Sequence, residues 1–295
     1  MGDPLAGLLA ALDLSDTGAR TSEDIFTAQS QWVPHGRVFG GQVLAQSLLA
    51  AMRTLEEDRP VHSMHAYFLR PGDVAEPITL AVDRIHDGRS FSTRRTQAYQ
   101  AGAPILSMIA SFQTRDEGLE HSIAMPDDLP DPESLPSAAE SLHGVPHPVA
   151  EYWARERPFD MRHVPSPIYL AVDDGKQAHQ AVWMRAIGPL PDDPKLHQAA
   201  LAYASDYTIL EPILRRHGVA WAQPGLKVAS LDHAMWWHRF GRVDEWFLYA
   251  QESPNAIGGR GLSMGRIYAR DGALLASVAQ EGMVRVPRDA RPSTG

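Results

Sequence analysis

An internal duplication constrains the fold of this chain more than any other feature of its sequence. The stretch RSFSTRRTQAYQAGAPILSMIASF at 89–112 resembles RGLSMGRIYARDGALLASVAQEG at 260–282. A shorter piece lies upstream of each, SMHAYFLR at 63–70 and SLDHAMWWHR at 230–239. Because both pieces recur in the same order and at a similar separation, the chain contains one structural unit twice. The aligned positions are Arg89 with Arg260, Ser92 with Ser263, Arg95 with Arg266, and His65-Ala66 with His233-Ala234.

Each copy has the pattern of one long helix and several strands. The long matching piece has strand-like residues on both sides of a turn, AGA or RDGA, which is typical of a β-hairpin. One stretch before the strands of each copy has apolar residues at helical spacing, at 40–55 in the first copy and 195–210 in the second. A helix combined with antiparallel strands, present twice, predicts an α+β architecture.

The segment between the copies has a different composition. Residues 118–165 are rich in Pro, Asp, Glu, Ser and His, which is typical of a linker at the surface, although AAESL and VAEYWARER within it have the composition to form short helical turns. The predicted organisation is an N-terminal unit at 12–117, this linker at 118–165, and a C-terminal unit at 166–287 that carries the candidate catalytic residues.

Composition excludes several classes of function. With 36 acidic and 27 basic residues the formal net charge is −9, which argues against nucleic acid as a partner. Since there is no cysteine, disulfides, thiolate nucleophiles and Cys-ligated zinc are excluded. No apolar run approaches the roughly 18 residues of a membrane span. The first residues lack the basic region of a secretory signal. We therefore expect a soluble cytoplasmic protein.

The stretch GLSMG at 261–265 matches the G-x-S-x-G nucleophile elbow of serine hydrolases. An elbow leads directly into a helix, and an acid and then a His follow it along the chain. Here the residues after Gly265 alternate like a hairpin, and no His follows Ser263, because the last one is His238. Ser92, the counterpart in the first copy, has no elbow glycines. We therefore interpret Ser263 as a strand residue and not as a nucleophile.

Differences between the two copies indicate where chemistry lies. Asp206 lies on the apolar stripe of the second helix, where a carboxylate without a partner is costly, and the first helix has no acid along its stripe. Gln280 shares a strand face with apolar residues and is replaced by Ala110 in the first copy. Ser230, at the start of its strand, is the third candidate, and Asp232 on the same face is a rival acid. Solvation or helix capping would also explain the acid on the helix, and a satisfied core amide would explain the glutamine.

A metal centre is not expected from the histidines. His233 and His238 are five residues apart on one strand, so they face opposite sides and cannot converge on one ion. The stretch HGVPH at 143–147 has no acidic or thiolate residues nearby to complete a site. We expect neither a metal nor a cofactor.

Several motifs together resemble those of the acyl-CoA thioesterase II family. They are GRVFGGQVLAQSL, VHSMHAYFLRPGD, GRSFSTRR, AYASDYTIL, SLDHAMWWHR and LLASVAQEGMVR, and the resemblance runs in order from about residue 12 to about residue 287. It implies a double hotdog, in which two units of one long helix wrapped by an antiparallel sheet lie side by side. It also implies a sheet that continues across both halves, and a homodimer or homotetramer.

The resemblance further implies hydrolysis of acyl-CoA thioesters to CoA and a free fatty acid, a reaction of lipid metabolism. The family uses an Asp, a Ser or Thr, and a Gln, which correspond by motif to Asp206, Ser230 and Gln280. The Asp would be the general base for attack by water, and the other two would hold the water and orient the carboxylate. Backbone N–H groups near the N-terminal part of the second helix are the expected donors to the carbonyl oxygen.

For the CoA phosphates, the motif RSFSTRR offers Arg89, Arg94 and Arg95. Arginines at a strand surface that balance nearby acids explain the same residues equally well.

Two other functions stay open. A hotdog enoyl-CoA hydratase or dehydratase uses an Asp with a His, and Asp232-His233 matches this superficially. Adjacent strand residues face opposite sides, however, so these two should not act together. The other alternative is a protein that binds acyl-CoA without catalysis, and the joint presence of the three candidate catalytic residues argues against it.

Overall fold

A computed structural model describes residues 3–16, 23–56, 59–146, 149–172 and 175–287. The α-helices in these ranges are α1 (Pro4–Leu12), α2 (Gly40–Arg53), α3 (Ala138–Ser141), α4 (Pro194–Ser205) and α5 (Glu211–Arg216). The strands of the first half are β1 (Ser15–Asp16), β2 (Asp24–Ala28), β3 (Val61–Phe68), β4 (Ile78–Asp87), β5 (Phe91–Gln100) and β6 (Ala103–Gln113). Those of the second half are β7 (Phe159–His163), β8 (His179–Ala186), β9 (Lys227–Ser230), β10 (Asp232–Trp237), β11 (Phe247–Ile257), β12 (Arg260–Ala269) and β13 (Leu274–Arg285).

All strands of the described ranges belong to one antiparallel sheet. Its order is β1-β2-β4-β5-β6-β3-β10-β13-β12-β11-β8-β7, and β9 pairs with β13 beside β10. The halves meet at β3 and β10, where Ala66 lies opposite His233 and His65 opposite Ala234. Outward from this junction the second half repeats the strand order of the first. The predicted α+β architecture with a continuous sheet is therefore confirmed.

The two long helices pack against each other on one face of the sheet. The apolar stripe predicted for α2 is confirmed, since Leu44, Leu48 and Ala51 are completely buried. Gly41 permits the close approach to α4, because a β-carbon there would lie 2.2 Å from the carbonyl oxygen of Tyr203. This contact places the N-terminal end of α2 beside the C-terminal end of α4.

The structure corrects one detail of the repeat. His65 is exposed and meets the ring of Trp236 edge-on, whereas His233 is completely buried on the helix side of the sheet. Since successive strand residues alternate between faces, the two histidines do not occupy equivalent positions. The alignment that pairs them is displaced by one residue at this strand.

The segment predicted as a linker contains regular structure. Short helical turns occur where they were expected, as α3 and as a π-helical turn at Tyr152–Glu156, and a 3-10 turn covers Pro132–Ser134. Strand β7 also lies in this segment and pairs with β8 at one edge of the sheet. The unit boundaries themselves stay a prediction. No helix in the described ranges is long and apolar enough to cross a membrane.

Candidate active site

Asp206 lies at the junction of α4 with the turns that lead to α5. The predicted helix extends to residue 210, but α4 ends at Ser205, and Asp206 is its C-cap. Helix capping, one of the structural explanations that the sequence allowed for this acid, therefore describes the backbone of Asp206. The half-buried side chain points away from the helix end and towards the sheet.

Three candidate residues from distant parts of the chain meet at this point. The Nε2 atom of Gln280 lies 2.9 Å from Asp206 Oδ1 and 2.8 Å from Ser230 Oγ. The Ser230 hydroxyl donates to the same carboxylate oxygen at 3.2 Å. Gln280 comes from β13 and Ser230 from the end of β9, which pairs with β13. The structure thus brings together all three residues implied by the resemblance, in a closed triangle of hydrogen bonds.

The first half of the chain supplies the other side of the site. Phe39 is the N-cap of α2 and makes no side-chain cap, so the first N–H groups of the helix are free for other acceptors. The N–H of Gly41 donates to the Asp206 carboxylate. Gly40 packs so closely against it that a β-carbon would lie 2.5 Å from Oδ2. The sequence offered one signal for this contact, the paired glycines at a helix start.

The prediction that the N-terminal part of the second helix supplies N–H donors to the substrate carbonyl is therefore wrong. We predicted the N-terminal part of the second helix, but α4 begins at Pro194, 12 residues before Asp206. At 1.5 Å per residue this end is roughly 18 Å away. The N-terminal end that adjoins the carboxylate belongs to α2, because the start of α2 packs against the last turn of α4 at this point.

The surroundings of Asp206 raise its pKa to about 6. Burial is the main cause, and the hydrogen bonds from Gln280, Ser230 and Gly41 oppose it in part. The carboxylate also stands at the negative end of α4 and the positive end of α2, so the two helix dipoles act on it in opposite directions. A carboxylate with a pKa of about 6 is ionised at neutral pH and still basic enough to take a proton from water.

His233 lies directly behind Gln280. Its Nδ1 is hydrogen-bonded to Gln280 Oε1, and its Nε2 lies 3.0 Å from Ser205 Oγ. The ring is completely buried, and burial lowers its pKa to about 4, against a smaller opposite effect of Gln280. From the sequence, this residue was considered as an aligned position of the repeat, as a metal ligand and as a partner of Asp232, so its contact with the site was missed.

Asp232 does not share this environment. Its Oδ1 accepts the backbone N–H of Glu281 at 2.7 Å, while His233 faces the helices. The expectation that adjacent strand residues do not act together is confirmed. Among the described residues, no group of three or more His, Asp or Glu side chains has the arrangement of a metal site.

Ser263 lies within β12, which continues to Ala269 without a helix. Its strand position is opposite Gln280, and its side chain is completely buried. Within the part of the chain that the structure describes, its hydroxyl has no hydrogen-bond partner. The interpretation of GLSMG as a strand and not an elbow is confirmed.

The three arginines do not reach this site. Arg94 is buried at the other end of α2, where its guanidinium donates to Thr54 Oγ1 at 2.7 Å and to Asp87 Oδ1 at 2.8 Å. Arg95 lies on the opposite face of β5 and pairs with Asp83. Arg89 is exposed in the turn before β5. A role of these residues in substrate binding stays a prediction.

Solved structures share this architecture. An acyl-CoA thioesterase II from Mycobacterium marinum is 42% identical, with a TM-score of 0.77 over 97% of this chain and 99% of its own. A hot dog fold protein of unknown function from Alicyclobacillus acidocaldarius gives the same TM-score at 21% identity, over 95% and 98% of the two chains. The fold is the double hotdog that the resemblance implies.

Family models and sequence relatives identify the family within this fold. The family model described as acyl-CoA thioesterase matches residues 155–283, and its N-terminal domain model matches 28–113. Acyl-CoA thioesterase 2 of Haemophilus influenzae is 39% identical over 97% of this chain and 99% of its own length. Acyl-coenzyme A thioesterase 8 of Homo sapiens is 38% identical over 97% and 92%. The chain therefore belongs to the acyl-CoA thioesterase II family, enzymes that hydrolyse acyl-CoA thioesters.

Proposed function

We propose that this chain hydrolyses acyl-CoA by direct attack of water on the thioester. Asp206 is the general base, and Gln280 and Ser230 position the water and orient the carboxylate. The observation that carries the proposal is the closed set of hydrogen bonds from Gln280 Nε2 and Ser230 Oγ to one carboxylate oxygen. These donors occupy Oδ1, so we assign the contact with the attacking water to Oδ2, which lies beside Gly40 at the start of α2.

The chemical steps follow from this arrangement. Asp206 takes a proton from water while the water oxygen bonds to the thioester carbonyl carbon. The resulting tetrahedral oxyanion forms beside the positive end of α2, which favours negative charge. The C–S bond then breaks, the carboxylic acid leaves, and the thiolate of CoA accepts the proton held by Asp206. No covalent enzyme intermediate is required.

Aromatic side chains flank the proposed reaction centre. Phe39 directly precedes the glycine pair of α2, and its ring stacks on Tyr207 with 4.6 Å between centroids. The same ring meets Tyr203 edge-on at 5.1 Å. Since Tyr207 follows Asp206 in the chain, these rings border the carboxylate with apolar surface, which suits the acyl chain of the substrate.

The decisive experiment replaces the two neighbouring acids one at a time. CoA release from a panel of acyl-CoA chain lengths is followed with a thiol reagent, and enoyl-CoA hydration is followed by absorbance. We expect Asp206→Asn to lower kcat by about 10²–10⁴-fold, the typical loss for a general base, with an unchanged circular dichroism spectrum. Asp232→Asn is the matched control and should keep most of the activity. Thiol release that survives Asp206→Asn, or hydration without thiol release, would overturn the proposal.

A further inference from the structure

We infer that His233 is a positioning residue, which holds the side-chain amide of Gln280 in the one orientation that serves Asp206. The inference rests on the proposed role of Gln280 in hydrolysis. The buried ring does not touch the reacting atoms, and each of its two nitrogens has a hydrogen-bond partner.

The contacts of the Gln280 amide with Asp206 and Ser230 determine its orientation. Gln280 Nε2 lies within hydrogen-bond distance of Asp206 Oδ1 and Ser230 Oγ. Its two N–H bonds satisfy these two oxygens. A rotated amide would direct a carbonyl oxygen at the carboxylate, without a proton between them. The amide therefore hydrogen-bonds to the carboxylate only when its nitrogen faces Asp206 and its oxygen faces His233.

The oxygen of the Gln280 amide requires a hydrogen-bond donor, and His233 provides it. Gln280 Oε1 faces Nδ1 of the ring at hydrogen-bond distance, and an amide oxygen only accepts hydrogen bonds. Nδ1 must therefore carry the proton. Since the ring is completely buried and its pKa lies at about 4, it is neutral at physiological pH and carries one proton only.

The second nitrogen has a partner that can complete this tautomer. With the proton on Nδ1, Nε2 has a lone pair and needs a donor, and Ser205 Oγ lies 3.0 Å away. The same hydroxyl lies 2.8 Å from the carbonyl oxygen of Ala202 and donates to it, and the inferred tautomer requires this single proton to turn to Nε2 instead. Ser205 directly precedes Asp206, and the chain of contacts thus runs from the end of α4 through the ring and the amide back to the carboxylate.

Two amide substitutions separate this role from simple packing. In His233→Asn, the side-chain N–H₂ takes approximately the place of Nδ1–H and can still donate to Gln280. In His233→Gln, the longer side chain takes the place of Nε2. We expect His233→Phe and His233→Gln to lower kcat about 10–100-fold at unchanged KM, since a misplacement of about 1 Å can cost 10²-fold. His233→Asn should stay within about fivefold of the wild type on the same principle. His238→Phe, on the same strand motif but bonded to Ser277, is the control.

A double-variant cycle gives the sharper test. If His233 acts through Gln280, then His233→Phe should add no further loss to Gln280→Ala. The acid limb of the kcat profile should also move to higher pH in His233→Phe, because the hydrogen bond from Gln280 lowers the pKa of Asp206. Additive losses, or an equal loss in the Phe and Asn variants with equal falls in melting temperature, would overturn the inference.

Two further measurements keep the test decisive. If His233→Phe does not fold, Ser205→Ala removes the donor to Nε2 without a change of ring, and its loss of kcat should disappear in the Gln280→Ala background. A full additive loss there contradicts the inference. Failure of the proposed function is seen separately, because Asp206→Asn would then stay active whatever the His233 variants do.

Discussion

A β-carbon on Gly40 would lie 2.5 Å from the Oδ2 atom of Asp206, so the first half of the chain directly touches the proposed base of the second half. Since the obstructed atom is the end of a side chain, Gly40→Ala should fold and displace the carboxylate. We expect kcat to fall by about 10²-fold, as for a displacement of about 1 Å, with a melting temperature close to that of the wild type. Gly118→Ala, where nothing lies within 4 Å of the added carbon, is the matched control. Full activity in Gly40→Ala would show that this contact does not position the base.

The pH dependence of hydrolysis should report Asp206. Burial raises its pKa to about 6, and only the ionised form accepts a proton from water. We therefore expect kcat/KM to fall about tenfold per pH unit below pH 6 and to level off above it. Gln280→Ala removes a hydrogen bond that lowers this pKa, so its residual activity should show the limb at higher pH. A limb near pH 4, as for an ordinary Asp, would contradict the assignment of the base.

Ser263→Ala should change kcat by no more than a few-fold. The buried hydroxyl has no partner among the described residues, so its removal should leave stability unchanged or raise it by about 1 kcal/mol. Stopped-flow traces should show no acyl-enzyme burst, and serine-directed phosphonates should not inactivate the enzyme. A covalent adduct on Ser263 in mass spectra, with matching loss of activity, would restore the serine hydrolase mechanism.

Arg94 and Arg89 should separate structural from substrate-binding arginines. Arg94→Met removes buried hydrogen bonds to Thr54 and Asp87 and should lower the free energy of unfolding by about 1–3 kcal/mol. Its kcat should not change, because the contact lies at the far end of α2. Arg89→Met changes an exposed side chain and should leave stability unchanged. A rise in KM for acyl-CoA in Arg89→Met alone would support its contact with the CoA phosphates, and an unchanged KM would remove it from the binding site.

The outer face of the sheet should form an interface between copies of this chain. Tyr67, Ile109 and Trp236 are 62%, 46% and 37% exposed on adjacent strands near the junction of the halves. Light scattering should give a homodimer or homotetramer, and Trp236→Glu should shift it towards the monomer. Ile257→Glu, at a residue 70% exposed at a hairpin end, should not. A wild-type monomer would contradict the predicted oligomer.

Periodicity and the duplication were sufficient for the fold and for a short list of candidates. The repeat predicts two equivalent halves, and the structure joins them at β3 and β10. Helical spacing places Leu44 and Leu48 in the core, and both are completely buried. The comparison of copies selects Gln280, which replaces the alanine of the first copy. These properties are local, because spacing along one element determines which face it buries.

Only the tertiary structure decided how the site is assembled. Gly40 contributes because the start of α2 packs against the end of α4, and His233 contributes through its hydrogen bond to the Gln280 amide. Such contacts leave no period in the sequence. The burial of a charged side chain is equally hard to predict from spacing, because Arg94 lies inside only through its contacts with Thr54 and Asp87, which come from other elements. The sequence specifies the faces of its elements, but which distant atoms meet depends on how those faces pack together.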